Sequence, residues 1–533
     1  MGYAAALVLA AHGVLAWIGR APGILTGQDD ALYVTLARAL LQGTYRDLHR
    51  IDAPLHALYP PGYPAALAAW GSVFGFGFDA VALFSIVCSV IALALIWDSL
   101  ARLFSPGIAL AVLIPAALNP VLLQYAGTVA SESPFLLATT VPLWLASRAG
   151  PGRVRGALGI GITAVLAGLT RAAGLAMLLA VVVHWLLERR WKRAIVFAVA
   201  GALFYGGWLG WSSHAARESE SHSYLTTEVV PRATRAPPAA VGGAVGHILA
   251  VPQRMARNFF QYATESVPWA LAVPTIRGTV ADNLASMAIA LACAAVGIGL
   301  LLRKWRLAGL YLAAYSTIVL AYPWIHPRFV TPVAPLLLLV ALAGAAWWSR
   351  KLDWRPLRLL VPAMSLALAL GGAARALPAV VRNAGCDRGG ETPDPQCLRP
   401  GQVGYFEALK YMKQHVSPDA VILNMKAGTL FHYTGLRTIA NLDISRPPDS
   451  TFVARVRDAG GGYILLGTIH SPELPLSRRM LANCDALVLE AGFPSDTYLF
   501  RVAAPTAEQR RQSCKALVRY RHANVSRDFG VDS

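Results

Sequence analysis

Long apolar runs broken by short basic pieces constrain this chain more than anything else in it. They fall at roughly 3–20, 79–98, 107–122, 134–148, 157–170, 172–187, 194–212, 282–302, 307–322, 329–348 and 358–377. A bilayer core about 30 Å thick takes about 20 apolar residues as a helix, and lipid tolerates only helices or closed barrels. The runs therefore predict a polytopic α-helical membrane protein of about eleven transmembrane helices. Composition agrees: 56% of residues are hydrophobic and 14% charged, against about 25% charged in a soluble globular protein. The first run has no basic leader, so it is expected to remain as a span.

The connecting loops alternate in charge. The short ones carry Arg102; Arg148, Arg153 and Arg155; Arg189, Arg190, Lys192 and Arg193; Arg303, Lys304 and Arg306; and Arg350, Lys351, Arg355 and Arg358. The others, 21–78, 119–133, 213–281 and 323–328, are mostly longer, and the first three contain acids. The positive-inside rule puts the short loops in the cytoplasm and the long ones outside. The net charge of +18 then belongs to the bilayer and requires no nucleic acid. After about residue 380 the pattern alternates between helix and strand: a helix around Phe406–Val416, strands at Val421–Leu423, Tyr463–Leu466 and Ala486–Leu489, and a last helix over about 506–520. This predicts two domains, a membrane domain over 1–380 and a small outward-facing α/β domain over 381–533. Cys386, Cys397, Cys484 and Cys514 lie in the second domain. An oxidising compartment suits one or two disulfides, with 386–397 and 484–514 the simplest of three pairings.

The polar stretch 28–64 opens with Asp29 and Asp30, directly after the first run. Leu32, Leu36 and Leu40 follow at helical spacing, and Gly43 can end the helix. A carboxylate on an outward loop beside the bilayer can act as general base toward a hydroxyl. The same pair also suits a helix start, with Asp29 as N-cap and Asp30 on the helix dipole. Glu132, the single acid of the 119–133 loop, suits a first helical turn equally well. Arg171 sits in a short hairpin between the fifth and sixth runs, where a cation is costly without an anion. His326 and Arg328 mark another outward helix end, beside Tyr322 and Trp324, which fit interfacial anchors. Acids and cations at outward helix ends give the polarity for a hydroxyl nucleophile and a phosphate leaving group. No phosphate loop, dinucleotide fingerprint or zinc-ligand spacing is present, so neither cofactor nor metal is expected.

Asp29-Asp30-Ala31-Leu32-Tyr33 is similar to the acidic pair and following tyrosine of the first outward loop in the polytopic GT-C glycosyltransferases. The branch it resembles most holds the protein O-mannosyltransferases and lipid A aminoarabinose transferases. Tyr59-Pro60-Pro61-Gly62-Tyr63-Pro64 resembles the turn closing that loop, with Tyr59 where the aminoarabinose branch has lysine. Asp30 stands where many members have glutamate. Leu169-Thr170-Arg171 resembles the helix end whose cation meets the donor phosphate. Arg328-Phe329-Val330-Thr331-Pro332 resembles a late Arg-aromatic helix start, and Glu132 falls where the family has a second-loop acid.

The resemblance implies an inverting hexosyl- or pentosyltransferase of the bacterial plasma membrane, with a periplasmic active site. Its donor would be a polyprenyl-phosphate sugar, and its acceptor an envelope glycan, lipid or protein. Asp29, Asp30 and Glu132 would be catalytic. Arg171, Arg328 and Tyr59 would bind the donor phosphate, and Tyr33 and His326 would position substrate. Two other functions use similar residues: a flippase for a lipid-linked anion, and a ligase or polymerase with a pyrophosphate-linked donor. Reporter fusions test the orientation. Fusions after Arg155, Arg193 and Arg306 should read cytoplasmic and one after Gly404 external; a cytoplasmic reading after Gly404 overturns the outward site.

Overall fold

Every apolar run forms helix. The computed structural model describes residues 1–24, 29–148, 154–218, 244–273, 280–352, 359–388, 392–439, 450–467, 469 and 473–528. Arg153, Arg355 and Arg358 of the basic loops, and much of the 213–281 loop, lie outside them. The helices of the first part are α1 (Gly2–Ile18), α2 (Asp29–Leu41), α3 (Gly62–Phe74), α4 (Phe78–Leu103), α5 (Pro106–Ala117), α6 (Pro120–Ala126), α7 (Glu132–Arg148), α8 (Val154–Thr170), α9 (Leu175–Leu187), α10 (Trp191–Glu218), α11 (Ala244–Gln261), α12 (Val267–Ala270), α13 (Val280–Lys304), α14 (Arg306–Ala321), α15 (Ala334–Lys351) and α16 (Leu360–Ala384). Among the described residues, four helical segments are long and apolar enough to cross a membrane: Phe78–Leu103, Trp191–Glu218, Pro327–Lys351 and Leu360–Ala384. The pair α5–α6, bent by 64°, makes a fifth when taken as one span. Among the described residues, length and composition establish four or five of the eleven expected spans, and further apolar helices such as α1 and α14 are shorter.

The chain divides into two compact units. The first comprises residues 1–20, 57–214 and 222–384. Its polar residues act as ties between helices. His12 is fully buried and joins three helices, contacting the Ala117 carbonyl at 2.7 Å through Nδ1 and Ser89 Oγ at 2.9 Å through Nε2. Asn119 produces the bend between α5 and α6: its side chain accepts from the Val121 and Leu122 amides, and Pro120 cannot continue the preceding hydrogen bonds. Its Nδ2 also donates to the Ala270 carbonyl at 2.7 Å. Helices α13 and α15 approach backbone to backbone. A Cβ on Gly297 would lie 1.9 Å from the Val340 carbonyl oxygen, and one on Gly344 would lie 2.0 Å from that of Cys293. Small residues permit such contacts in membranes, where lipid tails are as apolar as leucine.

The second unit comprises residues 21–56, 215–221 and 385–533. Five strands, β1 (Val421–Leu423), β2 (Arg437–Ile439), β3 (Tyr463–Leu466), β4 (Leu487–Phe493) and β5 (Thr497–Val502), form one sheet in the order β2-β1-β3-β5-β4. The first three strands run parallel and the last two form an antiparallel hairpin. Strand alternation sends Val421, Leu423, Ile464 and Leu466 into one apolar cluster and Ile422, Leu465 and Leu499 into another. Helix α17 (Pro400–His415) covers the second cluster with Tyr405, Phe406, Leu409 and Met412. Among the other helices of this unit are α18 (Ala427–Thr434), α19 (Phe452–Asp458), α20 (Leu474–Ala482) and α21 (Ala507–Asp528). The disulfides are Cys386–Cys397 and Cys484–Cys514, the simplest of the three pairings. Two strands escaped the sequence reading, β2 and β5.

Residues 21–56, read from the sequence as loop of the membrane domain, group with this unit. Helix α2 packs on α18, and the Ile24 amide donates to Tyr433 Oη at 3.1 Å. Beyond Gly43, which has φ +73° and ends α2 as expected, the chain runs beside β2. There the Thr438 amide donates to the His49 carbonyl at 2.8 Å, and the Ile51 amide donates to the Thr438 carbonyl at 3.2 Å. The rest of the 21–78 stretch contains α3, in the first unit.

Glu473 gives this unit a pH signature. Its carboxylate accepts the Gly467 amide at 3.4 Å, yet burial pushes the group up to about 8 against the opposing pull of Gly467 and Lys426. A carboxyl raised on folding contributes stability that is complete below its unfolded pKa near 4.5 and lost as pH rises through about 8. Thermal denaturation should show a stability decline over that window that Glu473→Gln flattens. An unchanged slope in the variant would remove Glu473 as its origin.

Candidate active site

The first unit brings three of the expected residues together. Glu132 is the first residue of α7, placed by the Ser131-Glu132-Ser133-Pro134 start, and is 2% exposed. Arg171 follows α8, where the Gly168-Leu169-Thr170 end gives way to a short 3-10 turn over Ala172–Gly174. That turn is tight enough that a Cβ on Gly174 would sit 2.2 Å from the Ala167 carbonyl oxygen. Arg328 lies in the 3-10 segment Pro327–Val333 leading into α15. Arg171 Nη1 donates to Glu132 Oε1 at 2.5 Å and to Ser131 Oγ at 3.1 Å. Arg328 Nε lies 3.4 Å from the same Oε1. One carboxylate thus bridges two guanidinium groups, with Phe135 and Phe329 rings flanking Arg171 at 5.9 and 6.0 Å.

This geometry gives two of the expected residues defined partners. Glu132 is engaged with both arginines through the one oxygen, Oε1. His326 precedes the 3-10 segment Pro327–Val333. Its Nδ1 accepts the Arg328 amide at 3.1 Å, and burial, followed by the Arg328 charge, pushes its imidazole below the usual range despite Glu132. It caps the segment that carries Arg328. The sequence reading missed Ser131, whose hydroxyl is the second ligand of Arg171; its place at a helix start was the available signal.

Tyr59 is half-buried in the first unit, in the turn before α3. A Cβ on Gly62 would lie 2.6 Å from the Leu169 carbonyl oxygen, so the Pro-Pro-Gly turn presses directly on the backbone next to Arg171. Any larger residue at 62 must displace one or the other.

Asp29, Asp30 and Tyr33 belong to the second unit. Both aspartates lie in the first turn of α2, where the helix dipole favours negative charge. Asp30 is 1% exposed and its Oδ1 accepts the Ala31 amide at 2.9 Å, while Asp29 is half-buried. Tyr33 is buried. Downstream, Asp47 Oδ1 and His56 Nδ1 pair at 2.7 Å, with the Tyr45 ring edge-on to His56 at 5.3 Å. Burial alone would raise Asp47, but His56, with His49 and Arg50, brings it below the ordinary carboxylate range. No group of three metal-ligating side chains occurs among the described residues.

Residues 59–207 match the model of the dolichyl-phosphate-mannose-protein mannosyltransferase family. That stretch contains Tyr59, Glu132 and Arg171, and leaves out Asp29, Asp30 and Arg328. The fold is similar to that of ArnT from Cupriavidus metallidurans in the apo state, with a TM-score of 0.56 and 15% identity over 94% of this chain and 99% of that one. It is also similar to the same protein bound to undecaprenyl phosphate, with a TM-score of 0.53, 14% identity and the same coverage. The Archaeoglobus fulgidus oligosaccharyltransferase complexed with Zn and sulfate gives a TM-score of 0.52 and 12% identity over 86% of this chain and 67% of that one. No curated protein sequence matches. The GT-C resemblance therefore holds for the fold. A double-mutant cycle on Glu132→Gln and Arg328→Gln, read by thermal stability, should give a coupling of about 0.5–3 kcal/mol; strictly additive effects would refute the shared carboxylate.

Proposed function

We propose, from this GT-C fold and its carboxylate-clamped arginines, that the chain is an inverting membrane glycosyltransferase using a polyprenyl-phosphate sugar. The observation that carries the proposal is the Arg171–Glu132–Arg328 cluster. Its family-matched part, Glu132 and Arg171, lies in the stretch similar to the mannosyltransferases. Two guanidinium groups are costly beside a bilayer unless they serve an anion, and the phosphate of a lipid-linked donor is such an anion. The similarity to ArnT, a protein solved with undecaprenyl phosphate bound, supports a polyprenyl carrier.

In the proposed reaction Asp29 takes the proton of an acceptor hydroxyl, and the oxygen attacks the anomeric carbon. The bond from that carbon to the phosphate oxygen breaks, and the electron pair leaves on the phosphate. One displacement inverts the configuration. Arg171 and Arg328 stabilise the charge growing on the leaving phosphate, with Tyr59 as a further donor. Asp29 is preferred to Asp30 as base because Asp30 is buried and already accepts a backbone amide. Glu132 and His326 are positioning residues, holding the arginines and their segment, and Tyr33 holds α2. The acceptor is an envelope glycan, lipid or protein on the outer face of a plasma membrane.

A monophosphate leaves with little charge, and two arginines match it without a metal; a pyrophosphate would call for a divalent clamp. Transfer from a polyprenyl-phosphate sugar by purified protein should therefore survive a chelator. Asp29→Asn should lower turnover by about 10²–10⁴ with the protein still folded, and Asp30→Asn should act mainly through stability. Arg171→Ala should impair donor use more than Arg171→Lys, which keeps the charge but loses the planar fork. Strict metal dependence would favour the pyrophosphate reading. Donor translocation without glycosidic product, indifferent to both aspartates, would favour a flippase.

A further inference from the structure

The first unit holds a second charged recess, at the far ends of the helices that carry the arginine cluster. Glu132 begins α7 and Ser147 lies near its end, roughly 22 Å along the axis at 1.5 Å per residue. A cavity of about 300 Å³ opens there, lined by Ser147, by the end of α9 and by the junction between α13 and α14. Arg190, Arg303, Lys304 and Arg306 face it, against a single carboxylate, Glu188. Glu188 is already engaged, 3.1 Å from Arg190 and 3.4 Å from His184. Arg303 and Arg306 are exposed and have no ion-pair partner among the described residues. Beneath this cationic rim lies an apolar floor of Trp185, Trp305 and Leu307, all buried. Trp305 is fixed by its Nε1 donating to the Leu143 carbonyl at 3.1 Å. Helix α14 starts at the recess, so its unsatisfied first-turn amides and positive dipole end add to the field.

We propose that this recess binds the phosphate headgroup of an anionic phospholipid from the leaflet that meets the basic loops. A basic pocket between helix ends on that side suits an anionic lipid. A soluble anion would use the cations alone. A lipid also places its glycerol and first methylenes on the tryptophan and leucine floor. The proposal does not depend on the transferase reading and concerns residues outside the arginine cluster.

Native mass spectrometry of the detergent-purified full chain, equilibrated with equal phosphatidylglycerol and phosphatidylcholine, tests it. Phosphatidylglycerol should be retained at least fivefold over phosphatidylcholine and should raise the melting temperature, while inorganic phosphate should not. Arg303→Gln with Arg306→Gln should abolish the preference, Arg303→Lys with Arg306→Lys should keep most of it, and Glu188→Gln should strengthen it. Equal retention of both lipids, or a preference unchanged in the glutamine pair, would overturn the proposal. Stabilisation by inorganic phosphate equal to that by the lipid would assign the recess to a soluble anion instead. Should the glutamine pair fail to fold, the lysine pair and Glu188→Gln still decide the outcome.

Discussion

Two guanidinium groups meet at one buried carboxylate, and the surrounding helix ends are arranged around that meeting. Arg171 and Arg328 both reach Glu132 Oε1, and Glu132 is 2% exposed. Removing a buried ion from water costs several kcal/mol, and only close partners return that cost. The consequence for the fold is that the starts of α7 and α15 and the end of α8 must converge, since each delivers one member. The tight turn at Gly174 and the glycine of the Pro-Pro-Gly turn exist within that constraint. Both are places where a side chain would strike a backbone carbonyl.

The same cluster sets Glu132 apart from the acids of α2. Both arginines approach one oxygen of its carboxylate, Oε1. A base must offer a lone pair to the incoming hydroxyl. The proposed division of labour follows from exposure: Asp29 is half-buried, whereas Glu132 is 2% exposed and held by both arginines.

Much of this was legible beforehand. Apolar periodicity located the helices because bilayer thickness fixes their length, and alternating charge marked which ends are basic. The strands at 421–423 and 463–466 followed from their apolar composition, and of the three disulfide pairings left open the simplest is the one that forms. Three things were not legible. Strand β2, Arg437–Ile439, is three residues long and begins with a charge, so it has no pattern of its own; its pairing to β1 creates it. Strand β5 is recognisable only through its hairpin with β4, whose turn places Ser495 and Asp496 at φ 55°. That Glu132 and both arginines share one oxygen atom is a tertiary fact, since the three lie far apart in sequence.

The run from 21 to 56 is synthesised early, yet its partners are synthesised last. His49 is bonded to Thr438 across 389 residues, and Ile24 to Tyr433 across 409. Loop closure over such separations is slow, and domains ordinarily fold as the chain emerges. This segment must wait until nearly the whole protein has been made. The second unit is therefore not a detachable C-terminal module. A fragment beginning at Gly385 would leave the edge of β2 and the face of α18 uncovered, and a chain truncated there would strand the acids of α2 without the surface that shapes them.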